Sequence, residues 1–187
     1  MKKLNVNIDH VATLRQARLG SYPNPIDIAK LISSSKASGI VMHLREDRRH
    51  IQDYDLVNYK KIIKLPLNLE MAPTPEMVKI ANKIKPQTVT LVPEKRQELT
   101  TEGGLNLKKN LTKVKSLINN LNGAIKIMLF VDPDLKIIDI CKKLDIHGVE
   151  INTGKYCDAK KNNISKAVSY THLTLPTTRH VWMSGGG

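Results

Sequence analysis

Three features of the chain predict an α/β fold. Short apolar runs rich in β-branched residues alternate with amphipathic stretches, helix starts carry a capping side chain before proline, and polar residues gather just after the runs. One run about every 28 residues gives a βαβαβα order and a parallel sheet. The predicted architecture is a (β/α)8 TIM barrel lacking its last two strand–helix units, with six units present, because a whole barrel takes about 250 residues and this chain has 187. An open doubly wound sheet is the runner-up, but no G-x-G-x-x-G turn follows the first run.

The candidate strands are residues 4–8, 39–43, 65–70, 88–92, 125–131 and 148–151. They are nearly all apolar, the pattern of strands covered on both faces. Asn24-Pro25, Thr74-Pro75 and Asp132-Pro133 each place a capping side chain before a proline at the first helical position. Between the fourth and fifth runs, Leu107, Leu111, Val114, Ile118 and Leu121 line one face of a predicted helix. Its other face carries Lys108, Lys109, Lys113, Asn119 and Asn120.

Two segments are expected. Lys, Asn and Ile are frequent throughout residues 1–166 and absent from 167–187, which also lacks Asp and Glu and holds the single Trp, Trp182. Residues 1–166 are read as the partial barrel. Residues 167–187 are read as a non-native or disordered tail, because Val168 to Thr178 resembles translated adapter sequence and the native frame is expected to end near Ala167. Unpaired strand edges would then leave this exact chain aggregation-prone and inactive, with activity belonging to the full-length parent.

Composition narrows the function. Apolar residues at 41% and charged residues at 25% fit a soluble domain with a sizeable core. No apolar run approaches membrane-spanning length, and the start has no signal-like core, so no membrane partner is expected. Cys141 and Cys157 cannot build a disulfide framework, and a cytoplasmic location is the simplest reading. The excess of 30 Lys and Arg over 17 Asp and Glu would suit a polyanion. Aromatics at 4% leave few stacking platforms, so nucleic acid is not an expected partner.

Chemistry in such folds sits beyond the C-terminal strand ends. The first run ends Asn7-Ile8-Asp9-His10, the second His43-Leu44-Arg45-Glu46-Asp47-Arg48-Arg49-His50, the third Asn68-Leu69-Glu70. The fourth leads to Pro93-Glu94-Lys95-Arg96 and Thr100-Thr101-Glu102-Gly103-Gly104, and the sixth ends Glu150-Ile151-Asn152-Thr153-Gly154. Arg18, Arg45 and His50 are candidates for holding phosphates, since guanidinium forks match phosphate oxygens. Glu70 in a closed rim is a candidate general base, and His43 a proton shuttle. Each has a structural alternative: His43 a satisfied core histidine, Glu70 an ion-pair partner of Arg45 or Arg48, Asp9 a loop cap. A metal-dependent lyase or aldolase using Asp9, His10, His43, His50 and Glu70 is a second enzyme reading, without a tight ligand signature. A basic, non-enzymatic binding module is the third.

Three segments together resemble the pyridoxine 5'-phosphate synthase family: Asn7-Ile8-Asp9-His10-Val11-Ala12-Thr13-Leu14-Arg15, then His43 through Ile51, then Asn68-Leu69-Glu70-Met71-Ala72. Leu91 through Glu98 and Thr101-Glu102-Gly103-Gly104 extend the resemblance, which spans residues 4 to about 165. It implies a homo-oligomeric barrel that condenses 1-deoxy-D-xylulose 5-phosphate with 3-amino-2-oxopropyl phosphate. The products would be pyridoxine 5'-phosphate, phosphate and water, with no metal or organic cofactor. Carried over, Asn7 and Arg18 would contact the aminoketone phosphate. Asp9, His10, Arg45, His50 and Thr100 would contact the deoxyxylulose phosphate, and His43 and Glu70 would be the acid–base catalysts. Asn152 stands where many relatives have His, which would remove any proton transfer there. No role is carried to His172 or His180.

Overall fold

A computed structural model describes residues 3–94 and 103–154 and the backbone of 180–184. The strands are β1 (Asn5–Asn7), β2 (Gly39–Leu44), β3 (Leu67–Met71), β4 (Thr88–Leu91), β5 (Lys126–Val131), β6 (Gly148–Asn152) and β7 (His180–Ser184). The helices are α1 (Asp9–Ala17), α2 (Pro25–Ser33), α3 (Asp53–Ile62), α4 (Pro75–Ile84), α5 (Leu107–Asn119) and α6 (Leu135–Cys141). All strand pairs are parallel, and spatial order follows chain order from β1 to β7. A doubly wound sheet must reverse its order at a switch point. The unbroken order is that of a barrel wall, so the fold is the truncated (β/α) barrel that the sequence predicts.

Two details extend that expectation. Both α1 and α2 lie between β1 and β2. A seventh strand, β7, pairs with β6 from Gly148↔His180 to Asn152↔Ser184. It comes from the compositionally distinct segment after residue 166; a parallel ladder is made by backbone groups, so it depends little on composition.

The strands alternate more than their apolar sequences suggest. Ile40, Met42 and Leu44 of β2, Leu67, Leu69 and Met71 of β3, Val89 and Leu91 of β4, and Leu129 and Val131 of β5 join one buried cluster with the helices. That cluster includes Met77, Val78, Ala81 and Ile84 of α4 and Val114, Leu117 and Ile118 of α5. Each fully buried side chain of this kind contributes about 1.5–3 kcal/mol. The opposite face carries His43, Glu70 and Thr90, which are lateral partners in the register. Side chains at paired positions of parallel strands share a face, so one row of polar groups crosses β2, β3 and β4.

The helix punctuation is followed at Asn24, whose side chain accepts from the Ile26 N–H at 2.9 Å, and at Thr74, which accepts from Met77. It fails at Asp132. The cap of α6 is Asp134, which accepts from Lys136 at 2.8 Å. Asp132 is engaged elsewhere, accepting from the Gly104 N–H and the Asn152 amide, both at 3.0 Å. The stripe on α5 also changes: Leu111 is exposed and Leu117 buried. Asn110 leaves helical geometry at φ −117° and ψ 15°, and the kink rotates the first turn against the rest. Gly104 is required by close approach, since a Cβ there would collide with the backbone of Val131 and Asp132.

Candidate active site

Six polar groups meet at the C-terminal ends of β1 to β4. Asp9 opens α1 directly after β1, and its Oδ1 accepts the backbone N–H of His43 at 2.7 Å. Asn7 locks this carboxylate, donating its amide to Asp9 Oδ2 at 2.8 Å and accepting the Asp9 N–H at 2.8 Å. Donor atoms of Asp9, His43 and Glu70 lie within 4.8 Å of one another. His43 Nδ1 stands 3.9 Å from Glu70 Oε2, and His43 Nε2 stands 2.8 Å from Glu94 Oε1. The rings of His43 and His50 are 5.8 Å apart.

Electrostatics separates these carboxyls into two kinds. Burial raises Glu70 well above the ordinary carboxylate range, and the charges of Glu150 and Asp9 push it further. Asp9 is also raised by burial, against the pull of its hydrogen bond from His43. Burial alone would raise Glu94 too, but hydrogen bonds from His43 and the Glu46 N–H, with the charges of His43 and Arg45, bring it below the ordinary value. Burial disfavours the charge on Glu70, so it faces the imidazole as an acid–base partner rather than in a tight ion pair, at a distance too long for a direct hydrogen bond. The ion pairs formed by the two arginines are with other carboxylates: Arg48 pairs with Asp53 and Glu76 at 2.8 and 2.7 Å, and Arg45 lies 3.5 Å from Asp47.

The second loop divides the basic run. Arg45 is buried, continuing the face of His43, while Arg49 pairs with Asp47 at 2.6 Å. Arg48 adopts φ 51°, turning the chain so that its guanidinium faces the starts of α3 and α4. Burial, with the positive charges of His43 and Arg45, lowers His50 to about 4. Its Nδ1 accepts the Ile51 N–H at 2.8 Å, which leaves Nε2–H as a neutral donor. His50 can thus offer a phosphate a hydrogen bond but not a charge.

This loop rests on a pair the sequence reading did not single out. Arg15 of α1 makes two bonds to Asp55 of α3, at 2.7 and 2.8 Å, and donates to the His50 carbonyl at 3.1 Å. Asp55 also accepts the Gln52 N–H at 2.8 Å. The partners are 40 residues apart, and only the Asp at the third position of α3 hinted at a cap.

Of the predicted site residues, Asn7, Asp9, His43, Arg45, His50 and Glu70 are gathered here. His10 follows Asp9 but is exposed. Arg18 caps the other end of α1, exposed, about 13 Å along the helix from Asp9. Thr100 lies outside the described residues. Asn152 ties Asp132 to Gly154, a hydrogen-bonding role open to an amide. Glu94 and Glu150, strand-end residues to which the sequence assigns no role, also act here: the first touches His43 and the second raises Glu70.

Asp9, His43 and Glu70 are also the donor set a metal ion would need. The fit is partial: each Asp9 oxygen already accepts one hydrogen bond and burial disfavours the charge on Glu70, while His43, held at Nε2 by Glu94, presents Nδ1. The arrangement suits proton transfer beside bound anions better than Lewis-acid chemistry.

A family model described as pyridoxal phosphate biosynthesis protein PdxJ matches residues 4–178, extending past the compositional break. Pyridoxine 5'-phosphate synthase of Ehrlichia chaffeensis is 49% identical over 174 residues, which cover 90% of this chain and 73% of the relative. The synthase of Pelobacter propionicus is 54% identical over 160 residues, covering 85% and 67%. That of a Wolbachia strain from Drosophila simulans is 48% identical over 179 residues, covering 91% and 75%.

Proposed function

This chain belongs to the PdxJ family of pyridoxal phosphate biosynthesis proteins, and from that membership we propose that it is a pyridoxine 5'-phosphate synthase of vitamin B6 biosynthesis. The substrates in this reading are 1-deoxy-D-xylulose 5-phosphate and 3-amino-2-oxopropyl phosphate. The observation that carries it is the Glu70 carboxyl, raised by burial, facing the His43 imidazole at 3.9 Å beside a buried Arg45. Imine formation, dehydration and ring closure each move protons, and a buried carboxyl beside an imidazole supports them.

In this proposal Glu70 removes the carbon-bound proton and His43 returns protons to departing oxygens. Arg45 supplies charge to the deoxyxylulose phosphate and His50 a neutral N–H. Asp9 and His10 contact the same substrate, with Thr100 from the following loop. Asn7 and Arg18 contact the aminoketone phosphate. A homo-oligomer acting in the cytoplasm on small phosphorylated molecules completes the reading. Residues 167–187 are proposed to be non-native in sequence, β7 pairing with β6 through its backbone, and the full-length enzyme to carry the activity. Incubating that enzyme with both substrates tests the function: pyridoxine 5'-phosphate and phosphate should appear together. Phosphate without the ring product, or neither, would overturn it.

A further inference from the structure

We propose that Glu94 is a positioning residue that fixes the His43 imidazole with its proton on Nε2, so that the Nδ1 lone pair is turned toward Glu70. The inference rests on the acid–base role given to His43 above and deepens it. Glu94 follows β4, yet it reaches across β3 to the residue on β2, and its side chain is only 5% exposed. Its two oxygens have separate partners. Oε1 meets His43 Nε2 at 2.8 Å, and Oε2 accepts the Glu46 N–H at 2.9 Å.

An ionised carboxylate only accepts hydrogen bonds, so the nitrogen facing it must donate. The second bond, from Glu46, prevents the carboxylate from swinging away. The backbone of His43 is held separately, by its N–H to Asp9 at 2.7 Å. Main chain and ring are therefore both fixed, and the free valence of the imidazole is at Nδ1. Five groups surround this ring: Asp9 from the start of α1, Glu70 from β3, Glu94 after β4, and Arg45 and His50 from the end of β2 and its loop. Among the described residues, Glu70 is the group that contacts Nδ1, at 3.9 Å. At 3.9 Å the two do not bond directly, so a substrate atom lying beside them within hydrogen-bond reach of both can exchange a proton with either. When Nδ1 takes a proton the ring becomes an imidazolium whose Nε2–H still bonds Glu94. When Nδ1 gives it up, the neutral Nε2–H form returns.

The test pairs a spectroscopic reading with turnover, in the full-length enzyme. Nitrogen-15 histidine spectra should show His43 as a single Nε2–H tautomer. Glu94→Gln keeps size and lets the amide donate or accept, so the tautomer should become mixed. Turnover should fall about 10- to 100-fold, the usual cost of losing a histidine-orienting partner, with KM changed by less than about threefold. Glu94→Asp should restore the tautomer and part of the rate. A single Nε2–H tautomer persisting in Glu94→Gln would overturn the inference whatever the rate does. If the unsubstituted enzyme makes no product, the reaction reading fails, and the tautomer comparison still decides the role of Glu94.

Discussion

Removing one member of the Arg15–Asp55 pair should cost more than its two residues suggest. The side chains are 3% and 1% exposed, and the N···O distance of the shorter contact is 2.7 Å. Asp55→Leu leaves a permanently charged guanidinium buried without its carboxylate, and also deprives the Gln52 N–H of its acceptor. Breaking a buried pair costs about 3–5 kcal/mol, against about 0–1 kcal/mol for an exposed one. For a domain of this size that lowers the melting temperature by about 6–20 °C. The damage should reach the site, because Arg15 holds the His50 carbonyl at 3.1 Å; KM for the phosphorylated substrates should rise. Urea titration and thermal melting read the stability, and initial rates read KM. The double replacement Arg15→Met with Asp55→Leu removes both charges and should cost less than either single change. A loss below about 1 kcal/mol for Asp55→Leu, the value of an exposed pair, would refute the reasoning.

Two further outcomes follow. His50 is lowered from 6.5 to about 4, so the unfolded chain binds the extra proton first and stability falls as pH drops between those values. His50→Asn, which retains an acceptor for the Ile51 N–H, should flatten that part of the profile; an unchanged slope in urea titrations across pH would remove His50 as its source. Exhaustive chelation should leave turnover intact, because burial favours a proton over a charge on Glu70, the third member of the only three-residue donor set among the described residues; loss on chelation with recovery on adding a divalent ion would restore the metal reading.

The strand order and most of the site were legible because polar residues at strand ends are costly without a purpose, and Asn7, Asp9, His43 and Glu70 each stand at such an end. The lateral alignment of His43 with Glu70 was not legible, since register is set by pairing between strands. Arg15 and Asp55 were missed because neither motif names a partner 40 residues away. Leu111 and Asp132 show the limit of local rules. A regular stripe and an Asp-Pro pair both point to one outcome, and a kink at Asn110 and a tertiary bond to Asn152 decide otherwise.

Proton transfer in the proposed reaction turns on Glu70. The decisive measurement is the rate of pyridoxine 5'-phosphate formation by Glu70→Gln in the full-length enzyme, at saturating concentrations of both substrates, alongside its stability against pH. Folded, Glu70 sits above its ordinary value of 4.5, so its contribution to stability is complete below that pH and is lost as pH rises through the folded value. The amide cannot ionise, so the variant should be at least as stable as the parent near neutral pH while its rate falls by at least about 100-fold. A rate within about threefold of the parent, in a variant equally well folded, would contradict the proposed acid–base role of this carboxyl.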